Sequence, residues 1–208
     1  MYNENIMKMS GVYGMEHINQ IINQLGLETN LTFDEIPKID LYMDQVIQLF
    51  ESKFKETKRN EDEKVLTKTM INNYAKGKLI FPIQNKKYSK EHLILISLIY
   101  QLKGALSIND IKVTLDGINK LIVKEELDVE SFYTSYLHLT SQNVVDFKED
   151  IEQRVMEVKG EITSLQSEDS LFLEQVLMIS SLVHMSNLYR RVAEKLVDEL
   201  VVEKRHKK

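Results

Sequence analysis

Two adjacent asparagines, Asn72 and Asn73, stand among lysines in the stretch LTKTMINNYAKGKLIFPIQNKKY, Leu66 to Tyr88. Asparagine inside a helix costs propensity, so a pair of them calls for a use. A carboxamide can bond adenine bidentately, and a lysine ammonium can meet phosphate or guanine. Thr67 can accept a free N–H of the first helical turn. Met70, Ile71, Tyr74 and Leu79 supply one apolar side and leave Lys68, Asn72, Asn73, Lys76 and Lys78 on the other. Gly77 stops the helix. Beyond it, β-branched and aromatic residues around Gln84 and Asn85 predict a two-stranded hairpin within residues 79–88, marked by Pro82. Lys86 and Lys87 fall just past its tip. A helix followed by a basic hairpin presents contacts to a duplex in that order. The residues expected at DNA are therefore Thr67, Lys68, Thr69, Asn72, Asn73, Tyr74, Lys76, Lys78, Lys86, Lys87 and Tyr88. Read blandly, the same residues are surface asparagines and a solvated lysine loop.

The charge balance favours a localised contact. The 208 residues carry a net −5, which argues against indiscriminate coating of nucleic acid. Residues 64–103, however, hold eight lysines against one acid, Glu91, a net +7 that leaves −12 for the remainder. A basic island in an acidic chain is the footprint expected of a confined DNA site.

Other chemistries find little support. No cysteine is present, so disulfides, thiolate metal sites and cysteine nucleophiles are excluded. His17, His92, His138, His184 and His206 are scattered, without the spacing of a zinc or di-iron helix. His138 and His184 lie in apolar surroundings and are expected as core or interface residues. No phosphate-cradling glycine loop, Gly-x-Ser-x-Gly turn or dinucleotide fingerprint occurs. No catalytic residue, metal or cofactor is assigned. The apolar runs Leu93–Tyr100 and Leu171–Met185 read as too short or too polar for a bilayer, and the first residues lack a secretory pattern. A cytoplasmic protein is expected.

The elements that must position this stretch are helical, since two prolines and seven glycines leave long uninterrupted segments. Ile18, Ile21, Ile22 and Leu25 mark a first amphipathic helix with Gly26 at its C-cap. Thr32 and Glu35 have capping-box spacing, and a helix from Asp40 to Phe54 follows. Ser89 can cap a helix over Leu93 to Leu102 that is apolar nearly all round and so buried. A buried strand is the alternative for that run. Ser107 and Asp110 open another helix. Val129 to Ile162 repeats apolar residues every three or four positions and predicts a long helix, kinked near Ser141 to Asn143. A last helix of ~35 residues, about 50 Å long, begins after Ser167. Its part from Leu171 to Leu188 is too apolar for a surface.

Residues 66 to 115 resemble the DNA-binding domain of the MerR regulators. That pattern is a helix ending Ile-Arg-Tyr-Tyr, then Gly-Leu-Leu-x-Pro, a wing closing Arg-x-Tyr-Ser, a long apolar helix and a Ser-Leu-x-x-Ile start. Here the matching residues are Ile71 and Tyr74; Leu79, Ile80 and Pro82; Lys86, Tyr88 and Ser89; Leu93 to Leu102; and Ser107, Ile108 and Ile111. Asn72 and Asn73 replace the Arg-Tyr pair, and Lys86 replaces the wing arginine, so the DNA-facing chemistry is altered. More narrowly, IDLYMDQV at Ile39 to Val46, LTKTMINNYAKGKLI at Leu66 to Ile80 and KKYSKEHLI at Lys86 to Ile94 resemble the bacterial family called domain of unknown function 1836.

The resemblance implies a mainly α protein: an accessory helix in residues 1–31, a MerR-like winged helix-turn-helix with a small β-hairpin wing in 32–122, and a helical effector or dimerisation region in 123–208. Residues 66–78 would be the recognition helix in the major groove, with the wing, 80–88, on the DNA backbone. Such proteins pair through a helix after the DNA-binding domain, so the expected partners are double-stranded DNA and a second copy, with an unidentified effector or protein also open and no membrane. The competing expectation is a non-catalytic interaction scaffold that has lost DNA binding.

Overall fold

The computed structural model describes residues 15–165 and 167–206. It is mainly helical, with one two-stranded antiparallel sheet. In order the elements are α1 (Met15–Gln24), a 3₁₀ turn (Phe33–Glu35), β1 (Leu41–Tyr42), α2 (Met43–Phe54), a second 3₁₀ turn (Lys55–Thr57), α3 (Lys68–Lys76), β2 (Lys87–Tyr88), α4 (Lys90–Leu102), α5 (Ile108–Val123), α6 (Val129–Leu165) and α7 (Ser170–His206). The chain forms two compact units. One comprises the described residues of Thr29–Leu139 and Arg190–Lys208, and the other those of Met1–Glu28 and Thr140–Tyr189.

The first unit is built around α4. His92 to Ile99 are all buried, because eight consecutive residues with almost no polar side chain leave no face for water. Phe54 of α2 packs on Tyr100 with ring centroids 4.5 Å apart, Ile111 and Leu115 of α5 are fully buried, and Tyr133 of α6 completes the cluster. The Tyr133 hydroxyl, buried with its ring, donates to the Leu31 carbonyl at 2.7 Å and lies 3.1 Å from Ser97 Oγ. Those two bonds hold the segment before α2 and the start of α6 to α4.

Local signals place most boundaries. Thr67 Oγ1 accepts from Met70 N and starts α3, while Ser107 and Asp110 exchange side-chain-to-backbone bonds at the start of α5. Gly26 takes the positive φ of 58° expected of a helix stop. The Thr32 amide donates to Glu35 as spaced, yet the pair caps only a 3₁₀ turn. The run Leu93–Leu102 is helix, as its missing strand punctuation indicates. The long helix expected from Val129 to Ile162 is α6, which runs through Ser141 to Asn143 as one span ending at Leu165.

The hairpin differs from its prediction. Asn85 and Lys86 both have positive φ, 50° and 59°, and Lys87 N donates to Gln84 O at 2.9 Å. This is the two-residue turn whose twist suits antiparallel strands. The partner of β2, however, is not the 79–83 arm, which meets it only at the Gln84–Lys87 bridge. β2 pairs instead with β1, Leu41 opposite Tyr88 and Tyr42 opposite Lys87.

In the second unit Ile22, Ile151, Val155, Val158 and Met178 form a small core. Arg154 bonds Asp150 through two nitrogens at 2.7 and 2.8 Å and reaches Ser181. Leu171–Leu188, read as too apolar for a surface, is not buried within the chain: Phe172 is 64% exposed and Ile179 62%. α1 and α6 cover only the Met178 stripe of a helix that is apolar on several sides. His138 and His184, expected at a core or an interface, are exposed as well, so neither is a core residue of this chain. By length and composition Ser170–Glu203 is able to cross a bilayer, with mean hydropathy 1.2.

Removing the Tyr133 hydroxyl tests the central junction. Tyr133→Phe leaves the Leu31 carbonyl without that donor, and urea denaturation should show a loss of about 1–3 kcal/mol with an unchanged slope.

Candidate nucleic-acid interface

The backbone leading into α3 is clamped from two helices. Glu51 of α2 accepts from Val65 N at 2.8 Å and Leu66 N at 3.3 Å, and pairs with Lys58 at 2.7 Å. Partial burial alone would raise the Glu51 pKa, but the Lys58 ammonium and the two amides outweigh it and hold the carboxylate low. From α4, Lys103 donates to the Val65 carbonyl at 3.2 Å. Desolvation lowers its own pKa.

Held in this way, α3 turns Ile71 and Tyr74 into the core and leaves Lys68, Thr69, Asn72, Asn73 and Lys76 exposed. At its end Leu79 N donates to Tyr74 O and Lys78 N to Ala75 O. A Cβ on Gly77 would stand 2.7 Å from Leu79 Cδ1 and 2.9 Å from Asn73 O, so glycine is required there by close approach. The left-handed residue of the turn is Lys78, with φ 59°.

The hairpin is fastened to α4 by a residue that sequence reasoning missed. His92 Nδ1 accepts from Ser89 N at 3.1 Å, which fixes the tautomer, and Nε2–H donates to Phe81 O at 3.2 Å. Its ring lies 3.8 Å from that of Phe81 and edge-on to Tyr88 at 5.9 Å. Both arms of the hairpin thus rest on one imidazole. Its position three residues after the Ser89 cap, where Glu or Gln commonly reaches back, was the available signal.

Asn72 and Lys86 line one cleft of about 440 Å³ between α3 and the hairpin tip, with Tyr42, Asp44 and Ile83. Asp44 takes Lys68 at 2.8 Å, both side chains largely exposed. Lys87 sits 5.4 Å over the Tyr42 ring. Other expected contacts fall elsewhere. Tyr74 and Tyr88 are 5% and 3% exposed and act as core, since Tyr74 follows Ile71 on the inward face and Tyr88 is the buried residue of β2. The Thr67 hydroxyl is taken up by its cap. Lys78 lines a different cleft, against α5. Within the basic island Lys90 pairs with Glu130 and Lys103 with backbone, so neither faces outward as a free cation.

A family model described as Domain of unknown function (DUF1836) matches residues 31–136. The match begins at Leu31, which receives the Tyr133 hydroxyl, and ends at Tyr136, stacked on Tyr133 at 5.7 Å. No curated protein and no solved structure matches the chain.

Burial lowers the His92 pKa, against the Phe81 carbonyl and the Glu91 and Asp40 carboxylates that favour the cation. The unfolded chain takes up the proton at an ordinary value of about 6.5. Stability that is full above that pH is therefore lost as pH falls from it toward the lower folded value. Thermal melting followed across that window should drop more steeply in the parent than in His92→Gln, whose amide can still accept from Ser89.

Proposed function

We propose that this chain, which belongs to the DUF1836 family, is a sequence-specific DNA-binding transcriptional regulator of MerR-like winged helix-turn-helix type. α3 with its flanks, residues 66–78, enters the major groove, and the hairpin tip lies on the adjacent backbone. One observation carries the reading: a helix carboxamide, Asn72, and a hairpin ammonium, Lys86, share a cleft. The first suits a base edge, the second a phosphate. Lys68, Thr69, Asn73 and Lys76 stand exposed along the same helix, and Lys87 follows Lys86. On approach a phosphate competes with Asp44 for Lys68, an exposed pair of little worth in water.

Twofold operators require a paired protein. The exposed apolar residues of α7, among them Phe172, Ile179 and Val183, supply the surface for a homodimer in the cytoplasm. Glu174, Gln175, His184 and Asn187 interrupt that helix and favour contact between copies over a membrane span. The reading includes no catalysis, metal or cofactor. A second reading, a protein-interaction scaffold, is favoured by the Asp44 carboxylate, which faces the same cleft and repels phosphate.

Selection from a randomised duplex pool at near-physiological salt should enrich an inverted repeat, and no enrichment would leave the scaffold reading. Lys86→Glu with Lys87→Glu should weaken binding to all sequences alike and flatten the salt slope by about 0.9 for each phosphate no longer neutralised. Asn72→Ala should instead change base preference by about 1–3 kcal/mol at one position. Unchanged slope and unchanged preference would remove both roles.

A further inference from the structure

We propose that the cleft bounded by the end of α3, the base of the hairpin and α5 binds a small amphipathic organic anion, an apolar body carrying one carboxylate. The cavity measures about 530 Å³, the size of an ordinary small-molecule site. Its apolar wall is Ile80, Phe81, Pro82 and Ile83 from the hairpin and Val123 from α5. Val123 is 62% exposed, an apolar lip left uncovered by the described residues.

The polar edge is cationic, with Lys78, Lys120 and Lys124 against the single acid Asp116. Lys120 is already placed 2.8 Å from Asp116, so that pair cancels. Lys124 is held only at 3.9 Å by Glu126, and Lys78 makes no ion pair among those of the described residues. Two ammonium groups therefore border an apolar wall, which is the complement of a carboxylate on a hydrocarbon or aromatic body.

Two further features set this cleft apart from incidental surface. Lys78 occupies the left-handed region at φ 59°, a conformation that glycine adopts with less strain, while Gly77 beside it has an ordinary φ of −72°. Strain kept at a cation on the rim of a cavity is what a binding role would maintain. The wall is also tied in place: Asn119 Nδ2 donates to Leu79 O and Leu115 O, both at 2.9 Å, and its Oδ1 is buried as an acceptor without a donor. Ile83 separates this cleft from the one lined by Asn72 and Lys86, since it lines both.

Calorimetric titration of the full chain with octanoate tests the site, with 1-octanol and inorganic phosphate as probes lacking the charge or the apolar body. Octanoate should bind at one site per chain, and each of the other two about ten-fold more weakly or worse. Lys124→Gln and Lys78→Gly should each weaken octanoate several-fold. Lys78→Gly should melt no lower than the parent, because glycine relieves the backbone it replaces. Absence of octanoate binding at millimolar concentration overturns the proposal. So does equal affinity for octanol, which would place the ligand on the exposed apolar residues of α7, equal affinity for phosphate, or indifference to both substitutions. No DNA enters the titration, so its failure leaves the DNA-binding reading untouched.

Discussion

The withdrawal of α4 from water governs the domain that carries both clefts. A helix buried from His92 to Ile99 cannot lie on a surface, so every neighbour must supply a covering face: Phe54 and Tyr100 where α2 meets it, Ile111 and Leu115 from α5, Tyr133 from α6. At roughly 25 cal/mol per Å² of apolar surface, that covering is the main favourable term in this half of the molecule. The two buried polar side chains of α4 both have partners. Ser97 meets the Tyr133 hydroxyl and His92 meets Ser89 and Phe81, and each such bond fixes an element that apolar contact alone would let slide.

Positioning of the exposed chemistry follows from that centre. Lys103 and Glu51 hold opposite groups of the Val65 residue, so α3 starts at a set place, and His92 sets the hairpin against α4. The basic island divides accordingly. Lys90 leans over the Phe33 ring at 4.4 Å and bonds Glu130, and Lys103 lies 4.4 Å over Tyr100. These cations serve the fold. Lys76 and Lys86 do not, so the net charge of a segment overstates what faces outward, because a long side chain can cover apolar surface with its stem.

What was legible in the chain was local. The Thr67 cap, the Ser107–Asp110 exchange, the Gly26 stop and the burial of Leu93 to Ile99 all depend on residues within a few positions of each other. The tip turn was placed one residue early, at Gln84 and Asn85 with Lys86 beyond it, whereas Asn85 and Lys86 are the turn residues; Asn-Lys is a weaker signal than Asn-Gly. The strand partner was not, because IDLY offers only two paired residues and its pairing is non-local. Tyr74 and Tyr88 looked like contacts because each neighbours exposed polar residues. Their ring size suits the core, and only the fold reveals that α4 needs them. The surplus of apolar residues on α7 was visible, but the described helices do not bury it.

The pairing of β1 with β2 joins positions 41–42 to 87–88 across the whole of α2 and α3. Closing a loop of about 45 residues costs on the order of 3 kcal/mol in chain entropy, against the few bonds of a two-residue ladder. Such a ladder does not nucleate; it zips after the helices on either side have met. During synthesis Leu41 and Tyr42 therefore emerge from the ribosome well before their partner, and until Tyr88 follows they remain an unpaired edge.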